Sequence, residues 1–138
     1  MERSLVLVKP DAMERGLAGA ILARLQADGL RLAALKMVHL DRATAERHYA
    51  VHKDKPFFKD LVDYITGTPI VAAVFTGDNA IARIRKIMGA TNPEKADPGT
   101  IRKDYGIDVQ RNSTHASDSP ENGEIEIAIY FRKGEIFG

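Results

Sequence analysis

The apolar positions of this chain fall into two kinds of pattern, unbroken runs and helical spacings. Residues 5–8 and 70–75 contain only apolar side chains. A short run of this kind predicts a strand that is buried on both faces. Residues 30–40 are rich in leucine, methionine and valine, but their apolar phase slips between Leu32 and Leu35, as in a strand with a β-bulge. Ile127, Ile129 and Phe131 occupy alternate positions, which predicts a final strand.

Helical spacings fill the segments between these strands. Apolar residues spaced three or four apart predict a helix over residues 18–28, ended by Gly29. Asp41 is suited to be the N-cap of a helix that runs to about His52, and a second short helix, carrying Phe58, Leu61, Val62 and Ile65, ends at Gly67.

Two further helices are predicted in the second half of the chain. Asp78 is a suitable N-cap for a helix with Ile81, Ile84 and Met88 on one face, closed by Gly89. A short polar helix is expected over residues 119–125. Residues 90–117 show no strong periodicity and contain Pro93 and Pro98, which predicts a long loop, and such loops are commonly functional.

The resulting order is strand, helix, strand, helical insertion, strand, helix, long loop, strand. Two βαβ halves with right-handed crossovers predict an α+β, ferredoxin-like βαββαβ fold. In this fold, helices cover one face of a four-stranded antiparallel sheet. A doubly wound parallel sheet is the main alternative. That fold would normally have a glycine-rich first turn, whereas the sequence here is Lys9-Pro10-Asp11.

Length and charge limit the class of protein. A chain of 138 residues fits one domain, taken here as residues 1–138, that can bury roughly 68% of its unfolded surface. The net charge of +1 gives no overall field that favours nucleic acid or a membrane. The absence of cysteine fits a reducing compartment. The apolar run near the start is too short for a signal peptide or a membrane span, so a cytoplasmic protein is expected.

The most informative segment for function is residues 111–118, in which His115 is flanked by small and polar residues. An imidazole needs open space and a fixed orientation to act as a nucleophile, and small neighbours provide the space. Glu126, expected at the start of the last strand, could accept a hydrogen bond from one ring nitrogen and leave a lone pair on the other. An exposed carboxylate at a sheet edge is the alternative interpretation of Glu126.

Four cations, Lys9, Arg85, Arg102 and Arg111, stand near the ends of predicted elements. Each could be an ordinary surface cation, but Lys9 ends a wholly buried strand and must point at solvent, a partner or a ligand. A nucleoside triphosphate with magnesium leaves about two negative charges to balance. Three or four converging cations would suit such a ligand.

Other motifs carry less weight. Tyr49 and Phe57 could grip a base, since stacking stabilises by roughly 1–3 kcal/mol, although Phe57 could equally lie at the edge of the core. His48 and His52 share a helix face, but without the glutamate of HExxH or an obvious third ligand a zinc site is not favoured. Neither GxxxxGK[ST] nor GxGxxG is present.

Six sequence blocks together closely resemble nucleoside diphosphate kinases, and they occur in family order over nearly the whole chain. The blocks are Lys9-Pro10-Asp11, His48-Tyr49, Lys55-Pro56-Phe57-Phe58, Gly89-x-Thr91-x-Pro93, Pro98-Gly99-Thr100-Ile101-Arg102 and Asn112-x-x-His115-Ala116-Ser117-Asp118. The resemblance implies the ferredoxin-like fold. It also implies a ping-pong transfer of the γ-phosphoryl group from ATP to a nucleoside diphosphate through phosphohistidine on His115.

The resemblance also implies the roles of individual residues. Glu126 orients the histidine, and Ser117 hydrogen-bonds that glutamate. Lys9, Tyr49 and Asn112 lie around the transferred phosphate and the ribose 3′-hydroxyl. The phosphate ligands and the stacking ring correspond to Arg85, Thr91, Arg102 and Phe57, with Arg111 given less weight. Magnesium mainly bridges phosphate oxygens in this family, so no protein ligand set is implied.

Partners follow from the same resemblance: nucleoside di- and triphosphates, and further copies of the chain, with a hexamer favoured over a tetramer. Neither a membrane nor a nucleic acid is required. Three departures from the family pattern are Ala116 where glycine is frequent, the charged Lys103, and Gly123 within the predicted polar helix. A nucleotide-binding regulatory protein and an RNA-binding module of the same fold are the alternative functions.

Overall fold

The computed structural model describes residues 1–138 and contains one four-stranded sheet. Its strands are β1 (Glu2–Val8), β2 (Arg31–Val38), β3 (Ile70–Gly77) and β4 (Thr114–Ala116). They lie in the order β2-β3-β1-β4, and every neighbouring pair is antiparallel. This arrangement confirms the ferredoxin-like α+β fold and excludes the doubly wound parallel sheet.

Seven α-helices connect and cover the strands. Their bounds are α1 (Pro10–Glu14), α2 (Ala18–Ala27), α3 (Arg42–His48), α4 (Phe58–Ile65), α5 (Ala80–Met88), α6 (Ile101–Tyr105) and α7 (Pro120–Tyr130). Short 3-10 turns occupy Ala50–His52, Pro93–Lys95 and Lys133–Glu135. The segment predicted as an unstructured loop therefore contains α6, a 3-10 turn and β4. No helix is long and apolar enough to cross a membrane.

Helices cover both faces of the sheet, so the expectation of a single covered face was wrong. Leu5 and Leu7 point into a core formed with α3, α4 and α7, whereas Val6 and Val8 point into a second core with α2 and α5. Both faces of β1 are buried over residues 5–8, which is why this stretch is an unbroken apolar run. No sheet face remains open for RNA, as a recognition module of this fold would need.

The prediction for the C-terminal elements was also wrong. The last strand is β4, and residues 127–131, predicted as a strand, belong mostly to α7. Ser119 accepts a hydrogen bond from the Asn122 N–H at 3.1 Å and Pro120 occupies the first turn, both of which favour a helix start. Gly123, Ile127 and Tyr130 form the buried helical face. The alternating isoleucines therefore do not mark a strand.

Local signals elsewhere were mostly interpreted correctly. The register between β2 and β3 shifts between Leu32 and Ala34, which confirms the bulge. Asp41 caps α3 by accepting from the Thr44 N–H at 2.7 Å, although the helix ends at His48. Asp78 does not cap α5. That helix starts after Asn79, and the Ile81 N–H in its first turn donates to the Glu2 carboxylate at 3.0 Å.

Close packing of α7 on β1 explains the glycine in this helix. A Cβ at Gly123 would lie 2.6 Å from the backbone oxygen of Arg3. A glycine within a helix ordinarily costs about 0.5–1 kcal/mol relative to alanine. The structure reverses that expectation, since only glycine allows the helix and the strand to approach so closely.

Candidate functional site

Strand β4 positions His115, which was predicted to lie in a loop. His115 pairs with Leu7 of β1, and residues paired across antiparallel strands point to the same face of a sheet. The imidazole therefore faces the layer formed by α3, α4 and α7, and its side chain is 23% exposed. The ring is reachable from solvent while its backbone is fixed by the sheet. Ala116 does not have a positive φ, so alanine fits where the family often has glycine.

A hydrogen-bond chain fixes the tautomer of this imidazole. Nε2 of His115 lies 3.1 Å from Oε1 of Glu126, and the Ser117 hydroxyl donates to the same oxygen at 2.7 Å. The Ser117 oxygen already accepts the Leu5 N–H at 3.0 Å, so its own proton is directed at the carboxylate. An ionised carboxylate can only accept, so Nε2 carries a proton and Nδ1 holds the lone pair.

Glu126 stands in the middle of α7 rather than at the start of a strand. Burial by itself raises the pKa of the Glu126 carboxyl. The hydrogen bonds and charge contributed by His115 and Ser117 outweigh burial, so the pKa lies below its ordinary value. The carboxylate therefore stays charged at neutral pH and can stabilise positive charge on the imidazole.

The ring of His48 packs against the ring of His115. The His48 ring lies 4.7 Å from that of His115, edge to face, and it also contacts Tyr49 and Tyr130. Burial and the nearby His115 lower the pKa of His48 to about 3, so this ring is neutral. His48 thus packs against His115 as a neutral ring.

His48, His115 and Glu126 are also potential metal ligands. Ligand atoms of His48, His115 and Glu126 all lie within 4.8 Å of one another. Two imidazoles with one carboxylate suit zinc or copper, whereas magnesium prefers oxygen ligands. The direct hydrogen bond between His115 and Glu126 already accounts for their proximity, and we assign no ion to this cluster.

A second chain of contacts joins the buried Lys9 and Asn112 to the exposed Thr91. Lys9 Nζ donates to the Gln110 carbonyl at 2.6 Å and to Oδ1 of Asn112 at 2.9 Å. The amide nitrogen of Asn112 donates to the Thr91 carbonyl at 2.9 Å. Burial, the largest effect, together with Arg102 lowers the pKa of Lys9 to about 8, even though nearby carboxylates raise it.

Arg102 and Arg85 provide further positive charge. Arg102, on α6, donates to the Gly89 carbonyl at 3.0 Å and to the carbonyl of Thr114, the residue before His115, at 2.9 Å. The buried Nε of Arg102 has no hydrogen-bond partner. Burial and repulsion by Arg85 lower the pKa of Arg102 to about 10, so it remains charged at neutral pH. Arg85 and Thr91 line a cleft of about 490 Å³ with Lys86 and Lys95.

Two of the predicted site residues, Arg111 and Phe57, take no part in these hydrogen-bond chains. Arg111 is exposed and pairs with Asp108 at 2.7 Å, which supports the lower weight given to it. Phe57 is 45% exposed, with the His52 ring at 5.6 Å as its aromatic neighbour, so its face is accessible to a base.

A larger depression of about 740 Å³ lies beside α2, but its arginines, Arg24 and Arg83, are paired with carboxylates.

Sequence reasoning missed two residues that connect to this site. The Asp11 carboxylate accepts hydrogen bonds from the Tyr64 hydroxyl at 2.6 Å and from the Ser113 N–H at 3.0 Å. Its signal in the sequence was present, because a carboxylate three residues after a buried strand and two residues after Lys9 is unusual. Tyr64 had no comparable signal, since only the folded structure brings α4 to this position.

The match to a protein family decides the identity of the fold and its activity. The family described as nucleoside diphosphate kinase matches residues 2–136. The chain belongs to the nucleoside diphosphate kinase family. Among similar proteins, the nucleoside diphosphate kinase of Roseiflexus castenholzii is 54% identical over 136 residues, covering 99% of this chain and 91% of that protein. The one from Archaeoglobus fulgidus is also 54% identical, covering 99% and 90%.

Solved nucleoside diphosphate kinase structures agree closely with this fold. The Aquifex aeolicus enzyme superposes with a TM-score of 0.95 at 45% identity, covering 98% of both chains. A halophilic enzyme from Halobacterium salinarum, in complex with CDP, gives 0.96 at 45% identity, covering 99% of this chain and 91% of its own. The chain is thus an enzyme of nucleoside diphosphate kinase type, and the purely regulatory alternative is not favoured.

The contact between Glu126 and His115 leads to a first prediction. Glu126→Gln should slow phosphoryl transfer by about 10–100-fold, because glutamine loses the charge and can present its NH₂ group to Nε2, which favours the wrong tautomer. Steady-state kinetics would measure the loss in kcat. Glu124→Gln is the matched control on the same helix, since Glu124 pairs with Arg3 at the surface. Equal rates for Glu126→Gln and the wild type would remove the orienting role.

Proposed function

We propose that His115 carries the phosphoryl group between two nucleotides that bind in turn. The observation that supports this most is the Nε2 contact with Glu126, which leaves the Nδ1 lone pair free to attack. Nδ1 forms a bond to the γ-phosphorus of a nucleoside triphosphate, and the bond between that phosphorus and the β–γ bridging oxygen breaks. The diphosphate leaves with that electron pair. A second diphosphate then takes the phosphoryl group from Nδ1.

The remaining site residues position and neutralise the phosphates. Phosphoryl transfer depends on positioning and charge more than on bond-making by the protein. Lys9 and Arg102, both buried near the His115 segment, would bind the transferred group, while Arg85 and Thr91 would hold the outer phosphates. Tyr49 and Asn112 are assigned to the transferred phosphate and the ribose 3′-hydroxyl.

Base binding falls to Phe57, whose exposed ring can stack on any base. Stacking contributes roughly 1–3 kcal/mol and tolerates different bases. A site that binds the base only by stacking on this ring would accept purine and pyrimidine nucleotides alike. Such breadth suits a role in maintaining the pools of NTPs and dNTPs.

Magnesium is proposed to enter with the nucleotide. The cleft beside Arg85 offers mainly lysine and arginine nitrogens, with Asp97 as its carboxylate and Thr91 and Thr100 as its hydroxyl groups. This donor set fits phosphate oxygens rather than a magnesium cage, which would need several oxygen ligands. The ion would bridge phosphate oxygens and neutralise part of their charge.

We further propose a cytoplasmic homo-oligomer, with each copy forming one domain over residues 1–138. The edge strand β2 exposes Leu35 and Met37, at 50% and 65% of their surface. An edge strand with exposed apolar side chains favours pairing with another copy. A hexamer is favoured over a tetramer, and light scattering distinguishes the two. A membrane or nucleic acid has no part in this proposal.

Labelling tests the covalent step directly. Incubation of the wild-type chain with γ-labelled ATP should give a protein-bound label that is lost in acid and kept in base, as expected for phosphohistidine. Addition of unlabelled nucleoside diphosphate should then release the label as a triphosphate. A chain that stays unlabelled under these conditions would refute transfer through His115.

A further inference from the structure

A buried carboxylate joins three segments of the site. Asp11 is 5% exposed and stands in the first turn of α1. One carboxylate oxygen accepts the Tyr64 hydroxyl of α4 at 2.6 Å, and the other accepts the Ser113 N–H at 3.0 Å. The Tyr64 oxygen in turn accepts the Asp11 N–H at 2.9 Å. This network connects the end of β1, the helical insertion and the strand that carries His115.

The Ser113 contact holds a turn that few residues adopt. Ser113 has φ of 73°, in the left-handed region, and lies between Asn112 and β4. Such a conformation is strained in a residue other than glycine and persists where the surroundings enforce it. The Lys9 N–H donates to the Ser113 carbonyl at 2.9 Å, so both polar groups of the Ser113 backbone are bound. This turn sets where Asn112 and His115 stand.

The charge of Asp11 also acts on Lys9. The groups that act on the Lys9 ammonium are the carboxylates Asp11 and Asp108, the guanidinium of Arg102, the neutral ring of His48, and the Tyr64 ring at 5.7 Å. Burial and Arg102 disfavour the charged form, while Asp11, the stronger of the two carboxylates, favours it. Arg15, 3.8 Å from Asp11, is the nearest competing cation.

We propose that Asp11 is a positioning residue for phosphoryl transfer: oriented by Tyr64, its carboxylate holds the Ser113 turn and keeps the Lys9 ammonium charged where the phosphate binds. This rests on the proposed function, because it assigns Lys9 to the transferred group. The sign of the effect follows from the charges. Loss of the Asp11 charge lowers the pKa of Lys9 further below about 8, so Lys9 would lose its proton closer to neutral pH.

The test is the pH profile of kcat/KM for phosphorylation by MgATP, which reports groups of the free enzyme. For Asp11→Asn, the alkaline limb should move to lower pH by about one unit. Burial raises the pKa of Tyr49 to about 12 and also raises the pKa of Tyr64, so neither phenol titrates in this range. Asp63→Asn, at an exposed aspartate paired with Arg42 and Lys59, is the control and should leave the limb in place.

Tyr64→Phe separates positioning from charge. It removes the hydroxyl that orients Asp11 but keeps the carboxylate, so the plateau rate should fall several-fold while the alkaline limb stays in place. If Asp11→Asn does not fold, Tyr64→Phe carries the test through its plateau rate. An unmoved limb in a folded Asp11→Asn, or a wild-type rate for Tyr64→Phe, overturns the proposal. Wild-type labelling by γ-labelled ATP reports separately on the proposed function.

Discussion

Replacing His115 with asparagine should abolish phosphoryl transfer while nucleotide binding remains nearly unchanged. The variant loses the nitrogen that attacks phosphorus, and the carboxamide of asparagine is a poor nucleophile. Lys9 and Arg102, both assigned to phosphate binding, are held by other contacts and stay in place. We expect kcat to fall by at least about 10⁴-fold, as when the nucleophile of another enzyme is removed. Coupled assays would measure turnover, and calorimetry would measure ADP binding.

His39→Asn is the matched control for this variant. His39 is exposed and contacts only the Thr66 carbonyl through its side chain, so the same substitution there should leave kcat unchanged. Turnover of His115→Asn within about 100-fold of the wild type would show that another residue accepts the phosphoryl group. Loss of ADP binding in the same variant would mean that the imidazole itself holds the nucleotide.

The central strands could be predicted from the sequence because their burial is complete and local. Residues 5–8 of β1 and 70–75 of β3 are buried on both faces of the sheet, so all of them are apolar, which is the pattern of a central strand. The bulge in β2 was visible as a slip of the apolar phase, and Asp41 was visible as a cap. In each case, the tertiary structure and the local pattern require the same element.

The C-terminal elements could not be predicted because two periods compete there. Ile125, Ile127 and Ile129 alternate as in a strand, yet Ile125 is 63% exposed and Ile127 is buried. The buried residues of α7 repeat with helical spacing, and one of them is glycine, which carries no hydrophobic signal. Strand β4 has only three residues, too few for any periodicity.

The candidate site was predictable in its chemistry but not in its scaffold. His115 and Glu126 were paired correctly, although the structure places one on a strand and the other on a helix. The pairing needs only that both side chains reach one face, which several scaffolds allow. The link through Asp11 and Tyr64 depends on where α4 packs, and that packing is set by the whole core.

Gly123→Ala tests the contact that brings Glu126 to the site. The added methyl would lie 2.6 Å from the Arg3 backbone oxygen, and neither the strand nor the helix can yield through a flexible side chain. Overpacking of this kind costs about 1–3 kcal/mol, against a gain of about 0.5–1 kcal/mol from helix propensity. We expect a net loss of about 1–2 kcal/mol in the free energy of unfolding, measured by urea denaturation.

Activity should fall in the same variant, because α7 can relieve the clash only by moving away from β1. That movement carries Glu126 away from His115, and a displacement of about 1 Å in a catalytic group can cost roughly 100-fold in rate. Gly19→Ala is the control, since a methyl in α2 meets nothing within 4 Å and should stabilise by about 0.5 kcal/mol. If both substitutions stabilise the protein equally and leave kcat intact, close packing of α7 on β1 does not position Glu126.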